Sequence, residues 1–355
     1  MKLNKLFLSA IAGSLLFVSC KSDDDNSVVL PLGNYDNGVL VLNEGGIGTV
    51  TYVNNDLTTT QQDIFAVVNG DANDLGAYAQ SMFFDGDRAF IISNGSNKIT
   101  VVNRYTFEYI GAITTGLTVP RYGVVFDGKA YVTNSNTFGS DTNPTGFTDD
   151  FIAVIDLGSL ALEDPIAVNN QAERLVVNNG KLYVSGGFYG SGTDLTVIDA
   201  ATKSVVSTIT VGESPNSLEV DNGVLYVLCS GYTGPSKIVK VSLSTDTVTS
   251  EVPFAISMGN AQNLDIESGK LYFTVGPKIY EFNTTTTSVI DTPFISTGST
   301  SNYIGYGFAV NDGKIYISEA ADDFSSDGRI LVYSTGTAQL ADLAVGLGPN
   351  GFYFN

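Results

Sequence analysis

The sequence contains no histidine, so acid–base or metal chemistry in this chain would fall to its carboxylates, tyrosines and cysteines. Two carboxylates invite it most directly. Glu219 and Asp265 each stand four residues before a turn glycine, Gly223 and Gly269, where the matching positions of other repeats hold Val124, Val176 and Ala309. Two acids at equivalent places in neighbouring units could bind Ca²⁺ or share a proton. The alternative is that each accepts hydrogen bonds from nearby backbone and serves the fold. "DDFSSD" (322–327) is a second Ca²⁺ candidate, but it lacks the glycine spacing of an EF-hand and fits a solvated loop better. Cys229 lies in the apolar run "VLYVLCSG" with only Cys20 as a second cysteine in the sequence. Without an imidazole to activate it, it reads as a buried, inert thiol. No catalytic residue, metal or cofactor is assigned on this basis.

What must position any such site is a repeat. The composition, with 38 Gly, 18 Tyr and 20 Phe and few charges, favours strands and turns. One pattern recurs, an apolar strand, a polar turn ending in Gly and a second apolar strand: "SMFFDGDRAFII" (81–92), "GVVFDGKAYVT" (123–133), "LVVNNGKLYVS" (175–185), "LEVDNGVLYVL" (218–228), "LDIESGKLYFT" (264–274) and "FAVNDGKIYIS" (308–318). Asp-Gly and Asn-Gly favour two-residue hairpin turns because both central positions accept positive φ. A second strand pair follows each hairpin, as in "DLTVIDAATKSVVSTITV". Four antiparallel strands per unit form the blade of a β-propeller.

The turn glycines Gly86, Gly128, Gly180, Gly223, Gly269 and Gly313 are 42, 52, 43, 46 and 44 residues apart, which gives six blades. A seventh is split. "DNGVLVLN" (36–43) matches "DNGVLYVL" (221–228) without the strand that should precede it, and "GPNGFYFN" (348–355) aligns with "SPNSLEVD" (214–221). The predicted fold is therefore an all-β, seven-bladed propeller over residues 36–355, closed by strand exchange between its ends, which would otherwise leave unpaired edges.

Propeller ligands bind where the blades converge. Counting back from each turn to the start of the inner strand gives Ala79, Arg121, Glu173, Asn216, Gln262 and Tyr306, with Asn350 in the split blade. All but Ala79 are polar or aromatic. The long loops 134–151, 186–194, 230–237 and 319–329 join second to third strands and so project on one face, carrying Phe138, Phe147, Phe188, Tyr189, Tyr232 and Phe324. An aromatic cluster there reads as a surface for a flat or extended organic ligand, or else as side chains folded back to pack their own loops.

The first residues read as a targeting signal: basic "MKLNK", an apolar run too short to span a bilayer, then "LLFVSC". Residues 1–19 are expected to be a cleaved lipoprotein signal peptide and Cys20 the lipidated residue, with residues 20–35 an acidic tether. "KSDDDN" resembles the surface-export signal of Bacteroidetes lipoproteins, which implies an outer-membrane, cell-surface location through the lipid anchor alone. The net charge of −20 excludes a nucleic-acid partner and electrostatic docking on anionic lipid.

"VLVLNEGGIGTVTYVN", "AQSMFFDGDRAFIISNGSNKITVVNRYTFEYIG" and "VPRYGVVFDGKAYVTN" resemble a family of Bacteroidetes surface lipoproteins related to the YncE-like propellers, whose domain has no assigned function. The likeness covers nearly the whole mature chain and is strongest over 38–135. It implies a non-enzymatic capture protein. Its relatives hold cobalamin and pass it to a TonB-dependent outer-membrane transporter, so a corrinoid is the implied ligand and that transporter the implied partner. The motifs specify mainly the fold, and a cell-surface scaffold for protein partners would use the same aromatic face. A propeller lactonase, lyase or quinoprotein fits less well, since those generally use His as ligand or base.

Overall fold

The computed structural model describes residues 31–70, 73–187, 191–289 and 291–355. The expected signal peptide, Cys20, most of the acidic tether, Phe188 and Tyr189 lie outside the described residues.

Seven four-stranded antiparallel sheets stand in a ring. Their inner strands are Ala79–Asp85, Pro120–Phe126, Leu175–Asn178, Pro215–Asp221, Gln262–Glu267, Ile304–Asn311 and Pro349–Phe354. Each contacts the inner strand of the next sheet around the circle. In the blade that starts at Pro215 the strands Pro215–Asp221, Val224–Cys229, Lys237–Ser242 and Thr247–Pro253 pair in sequence order. Fourth strands are the least regular and shrink to Thr60–Gln61, Ile166–Ala167 and Ile295–Ser296 in three blades.

The turn chemistry has the conformation its residues favour. Asn222 and Gly223 sit at φ 48° and 78°, and Asp127 and Gly128 at 49° and 71°, both central residues left-handed as a type I′ hairpin requires. The Gly86 hairpin differs. Glycine occupies the first central position there, and Gly86 alone is left-handed (φ 54°), as in type II′.

Inner strands alternate, so one side chain faces the preceding blade and the next faces the following one, as Met82 and Phe84 join one layer and Phe83 the other. The core is accordingly a set of apolar layers between blades rather than one central mass. Phe83, Phe90 and Ile92 pack on Ala130, Val132 and Ala153 of the following blade, and Leu195 and Val197 on Leu218 and Val227.

In the split blade, Pro349–Phe354 lies antiparallel on Gly38–Asn43, with Phe354 opposite Val39 and Phe352 opposite Val41. Val39, Val41 and Phe352 join the layer toward Tyr316 and Ile330, while Leu40 and Leu42 join the layer toward Met82 and Ile91. Asn355, aligned by sequence with Asp221, ties the seam: its N–H donates to the Gly38 carbonyl (3.1 Å) and its amide to the Tyr35 carbonyl (2.7 Å). The one α-helix among the described residues, Ile64–Asn69, falls outside the repeat pattern; it buries Ile64 and Phe65 against the seam. Among the described residues no helix is long and apolar enough to cross a membrane.

Candidate functional site

At the end of the ring where the inner strands begin, a cavity of about 750 Å³ opens. Its lining includes Arg121, Glu173, Asn216, Gln262, Tyr306 and Asn350, and also Phe138 and Tyr232 from the long loops. The polar and aromatic members of the repeat-derived ring are thus gathered around one mouth, while Ala79 is buried outside the lining.

Local backbone geometry explains how adjacent residues both reach it. At the start of several inner strands the register slips: Pro215 faces Cys229 but Ser217 faces Leu228, leaving Asn216 unpaired, and Gln80 and Asn350 are bulged out in the same way. In the Pro120 strand both Arg121 and Tyr122 lie within the irregularity. Bulges redirect a side chain, and here they turn it toward the mouth. Just before them Tyr78, Val119 and Ser214 sit at φ 56°, 47° and 52°. A left-handed valine is strained, a state that persists only where the surroundings over-determine it. The Asn97 side chain accepts the Val119 N–H (2.7 Å) and the Val119 carbonyl accepts from Ser135 N–H (3.1 Å), which holds it there.

The side chains of the ring differ in what remains open to a ligand. Asn216 donates to the Ser230 hydroxyl and the Ala261 carbonyl and accepts from Ser217 Oγ. Asn350 donates to the Ala79 carbonyl at 2.7 Å. Both amides therefore fasten one blade to the next while lining the cavity, and the buried amide oxygen of Asn350 has no partner among the described residues. Arg121 binds Glu173 through two 2.8 Å contacts and Gln80 Oε1 at 2.6 Å, which links three successive blades. Tyr306 donates its hydroxyl to Glu44. Gln262 is exposed, with its side-chain amide unbonded within the described protein.

The loop aromatics divide as well. Phe138 and Tyr232 remain 55% and 52% exposed at the cavity. Phe324 is not part of the lining; it packs edge-on against Tyr303 and Tyr306, with centroids at 4.6 and 5.4 Å. Phe147 lies against Gly139 within its own loop. Sequence reasoning missed Gln80, Tyr122, Arg174 and Asn263, each one residue past a ring position or past Ala79, because a regular strand would have turned them away. For Gln80 and Tyr122 the strand opens on Ala79 or Pro120 directly after a left-handed residue, and the bulge follows it.

Asp150 anchors the loop that carries Phe138. Its carboxylate accepts the N–H groups of Ala172 (2.7 Å) and Asn136 (3.2 Å). Burial pushes its pKa up to about 7 against those hydrogen bonds. A folded-state pKa above the free value of 3.8 means the folded chain binds the proton more tightly, so this group's contribution is fully present below about pH 4 and is lost as pH rises toward 7. Asp150→Asn should melt more favourably relative to the parent at pH 8 than at pH 5; parallel Tm profiles over that range would contradict this.

Farther along the inner strands from the mouth, Asp265 accepts N–H bonds from Ile266 and Val310, both at 2.6 Å, so the fold-serving alternative describes it. Burial pushes its carboxyl up to about 6. Burial also raises Glu219 well above the carboxylate range, with the Asp265 charge adding to the rise and Arg174 opposing it. In "DDFSSD", Asp323 accepts from the backbone N–H groups of Ser325 and Ser326 (3.0 Å each) and from the Ser326 hydroxyl, and these bonds hold it well below its usual range. Among the described residues no group of three or more Cys, Asp or Glu side chains is placed to hold a metal ion. Cys229 is buried, and its burial pushes the thiol up to about 12, which removes it as a nucleophile.

A profile for a domain of unknown function, DUF5074, matches residues 37–330. No curated protein sequence matches the chain. Similar solved structures are propellers of unlike kinds. The computationally designed Ika8 protein is 10% identical, covers 92% of each chain and has a TM-score of 0.58. The dihydro-heme d1 dehydrogenase NirN in complex with DHE is 13% identical over 91% of this chain and 76% of its own, at 0.54. BamB from Moraxella catarrhalis is 14% identical over 88% and 84%, at 0.53. A likeness at this identity establishes the fold alone.

Proposed function

Because the chain belongs to the DUF5074 family, whose function is unassigned, its role has to be read from the mouth, and we propose that it is a non-enzymatic capture protein for a small organic nutrient. The observation that carries this reading is the 750 Å³ cavity at the convergence of seven blades, lined by aromatic rings and hydrogen-bonding side chains. Its size is that of sites enclosing organic ligands, which combine apolar walls with a few directed polar groups. Tyr232 and Phe138 supply stacking faces and Gln262 an amide that pairs with a neutral donor or acceptor. A corrinoid is the leading candidate through the family resemblance. In this reading the protein is lipidated at Cys20, faces the cell exterior, and delivers its ligand to a TonB-dependent transporter; protease shaving of intact cells that spares it would contradict the location.

Calorimetric titration with cobalamin, haem and a glycan panel tests the capture role. Binding by one of them is expected, and Tyr232→Ala should weaken it by about 2 kcal/mol, the scale of a central binding hot spot. Turnover of a panel compound would replace capture with an enzyme. A second reading, a docking face for a protein, draws on the exposure of Tyr78, Tyr303 and Ile256 beside the aromatics of the same face. Failure of the whole panel together with binding of a purified transporter would favour it.

A further inference from the structure

The cavity contains two arginines in different states. Arg121 is neutralised by its paired contacts to Glu173, with side-chain exposures of 11% and 9%. Arg174 also lines the cavity, yet no carboxylate among the described residues is within ion-pair reach of it, and its guanidinium makes no hydrogen bond to the described protein. The group is half-buried and lies 4.4 Å over the ring of Tyr122. A cation–π contact of this kind restrains a guanidinium and leaves its N–H donors available to a partner. Tyr122 is itself fixed, since its hydroxyl accepts from Gln80 Nε2 at 3.0 Å. The arginine is therefore held against a fixed ring before any ligand arrives, with donors unmatched by acceptors among the described residues.

From this the geometry points to Arg174 as an oxyanion subsite: the captured ligand carries one carboxylate or phosphate group that docks on the Arg174 guanidinium. The inference rests on the capture reading and narrows its ligand class to an otherwise neutral organic body bearing a single oxyanion. A planar fork of donors matches two oxygens of such a group at once, a geometry that a lysine or an amide does not offer. Arg174 opposes the rise that burial gives Glu219, but burial and the Asp265 charge prevail and favour the protonated form of Glu219, so this neighbour does not neutralise the arginine. The net charge of −20 repels a highly anionic ligand at long range. Screening confines that field to about 8 Å at physiological salt, so a lone oxyanion within the cavity responds chiefly to the nearest cation.

The test uses simple probes. Phenyl phosphate and benzoate supply the two oxyanions, and benzamide is their neutral counterpart; each is titrated against the parent, Arg174→Met and Arg174→Lys by ligand-observed NMR. The parent should bind at least one anion with at least tenfold preference over benzamide, Arg174→Met should lose that preference, and Arg174→Lys should keep part of it. The parent binding anion and amide alike, or Arg174→Met retaining the preference, overturns the subsite. Protection of Arg174 from phenylglyoxal by phenyl phosphate, read by peptide mass, probes the same contact without a variant; unchanged modification counts against it. The two readings fail separately. Anion binding that depends on Arg174 when the whole nutrient panel fails removes the proposed nutrients and keeps the subsite. A panel ligand held equally by the parent and Arg174→Met keeps capture and removes the subsite.

Discussion

A chain lacking residues 348–355 is expected to lose its cooperative thermal transition. The deletion removes the whole inner strand of the seam blade and exposes the edge of Gly38–Asn43 that it covers. It also cuts ties to both neighbouring blades. The Tyr353 hydroxyl accepts the Met82 N–H at 2.8 Å, the Pro349 carbonyl accepts from Ser318 Oγ at 2.5 Å, and Arg104 donates to the Phe354 carbonyl and to Asn355 Oδ1 at 2.6 and 2.7 Å. Phe352 is 7% exposed in the layer with Val39, Val41 and Tyr316. Its truncation alone, Phe352→Ala, should cost about 3–5 kcal/mol, a large share of the 5–15 kcal/mol that typically separates folded from unfolded chains. Calorimetric melting compares the three proteins. A truncated chain melting as one transition at the parental temperature would mean that the seam contributes nothing to cooperativity.

That strand is legible in the amino-acid sequence because its pairing partner is missing from a repeat. A repeat makes absence visible: once six hairpins align on their glycines, "DNGVLVLN" without its preceding strand and "GPNGFYFN" without a following one are complementary defects. The same alignment locates the mouth, since a position fixed relative to each turn is fixed relative to the ring axis. It fails in two respects, both below the resolution of a period-two pattern. Bulges add a residue that alternation does not count, so Tyr122 reaches the cavity although an ideal strand would have buried it between blades, and Arg174 reaches it from just before its strand begins. Residue type also says nothing of hydrogen-bond commitment. Asn216 and Gln262 occupy equivalent positions, yet the first is bound to Ser230 and to the next blade's Ala261 while the second extends into the cavity. The difference lies in Ser230, which stands at the end of the second strand and supplies the partner; in the Gln262 blade the corresponding contact is made by Asn263, through Thr274 and the Gly305 carbonyl.

Breaking the pair at the mouth should have the other large effect. Arg121 and Glu173 belong to successive blades and meet through Nε and Nη2 at 2.8 Å each, almost out of contact with solvent. Arg121→Met removes the cation and leaves the Glu173 carboxylate, 9% exposed in the pair, without its two guanidinium donors, which should destabilise by about 3–5 kcal/mol. Glu173→Gln keeps one acceptor for the guanidinium and should cost less. If the penalty arises from an uncompensated buried charge rather than from the pair's own attraction, the double variant Arg121→Met/Glu173→Gln should recover much of the stability that Arg121→Met loses, because removing both charges also removes their desolvation cost. The two residues touch, so the cycle should be strongly non-additive, with a coupling of about 1–3 kcal/mol. Denaturant melts of the parent, both single variants and the double variant measure it. Additive losses would show that the bridge to Glu173 contributes little to joining the two blades and that Arg121 acts through its other contacts, among them the Gln80 amide oxygen at 2.6 Å.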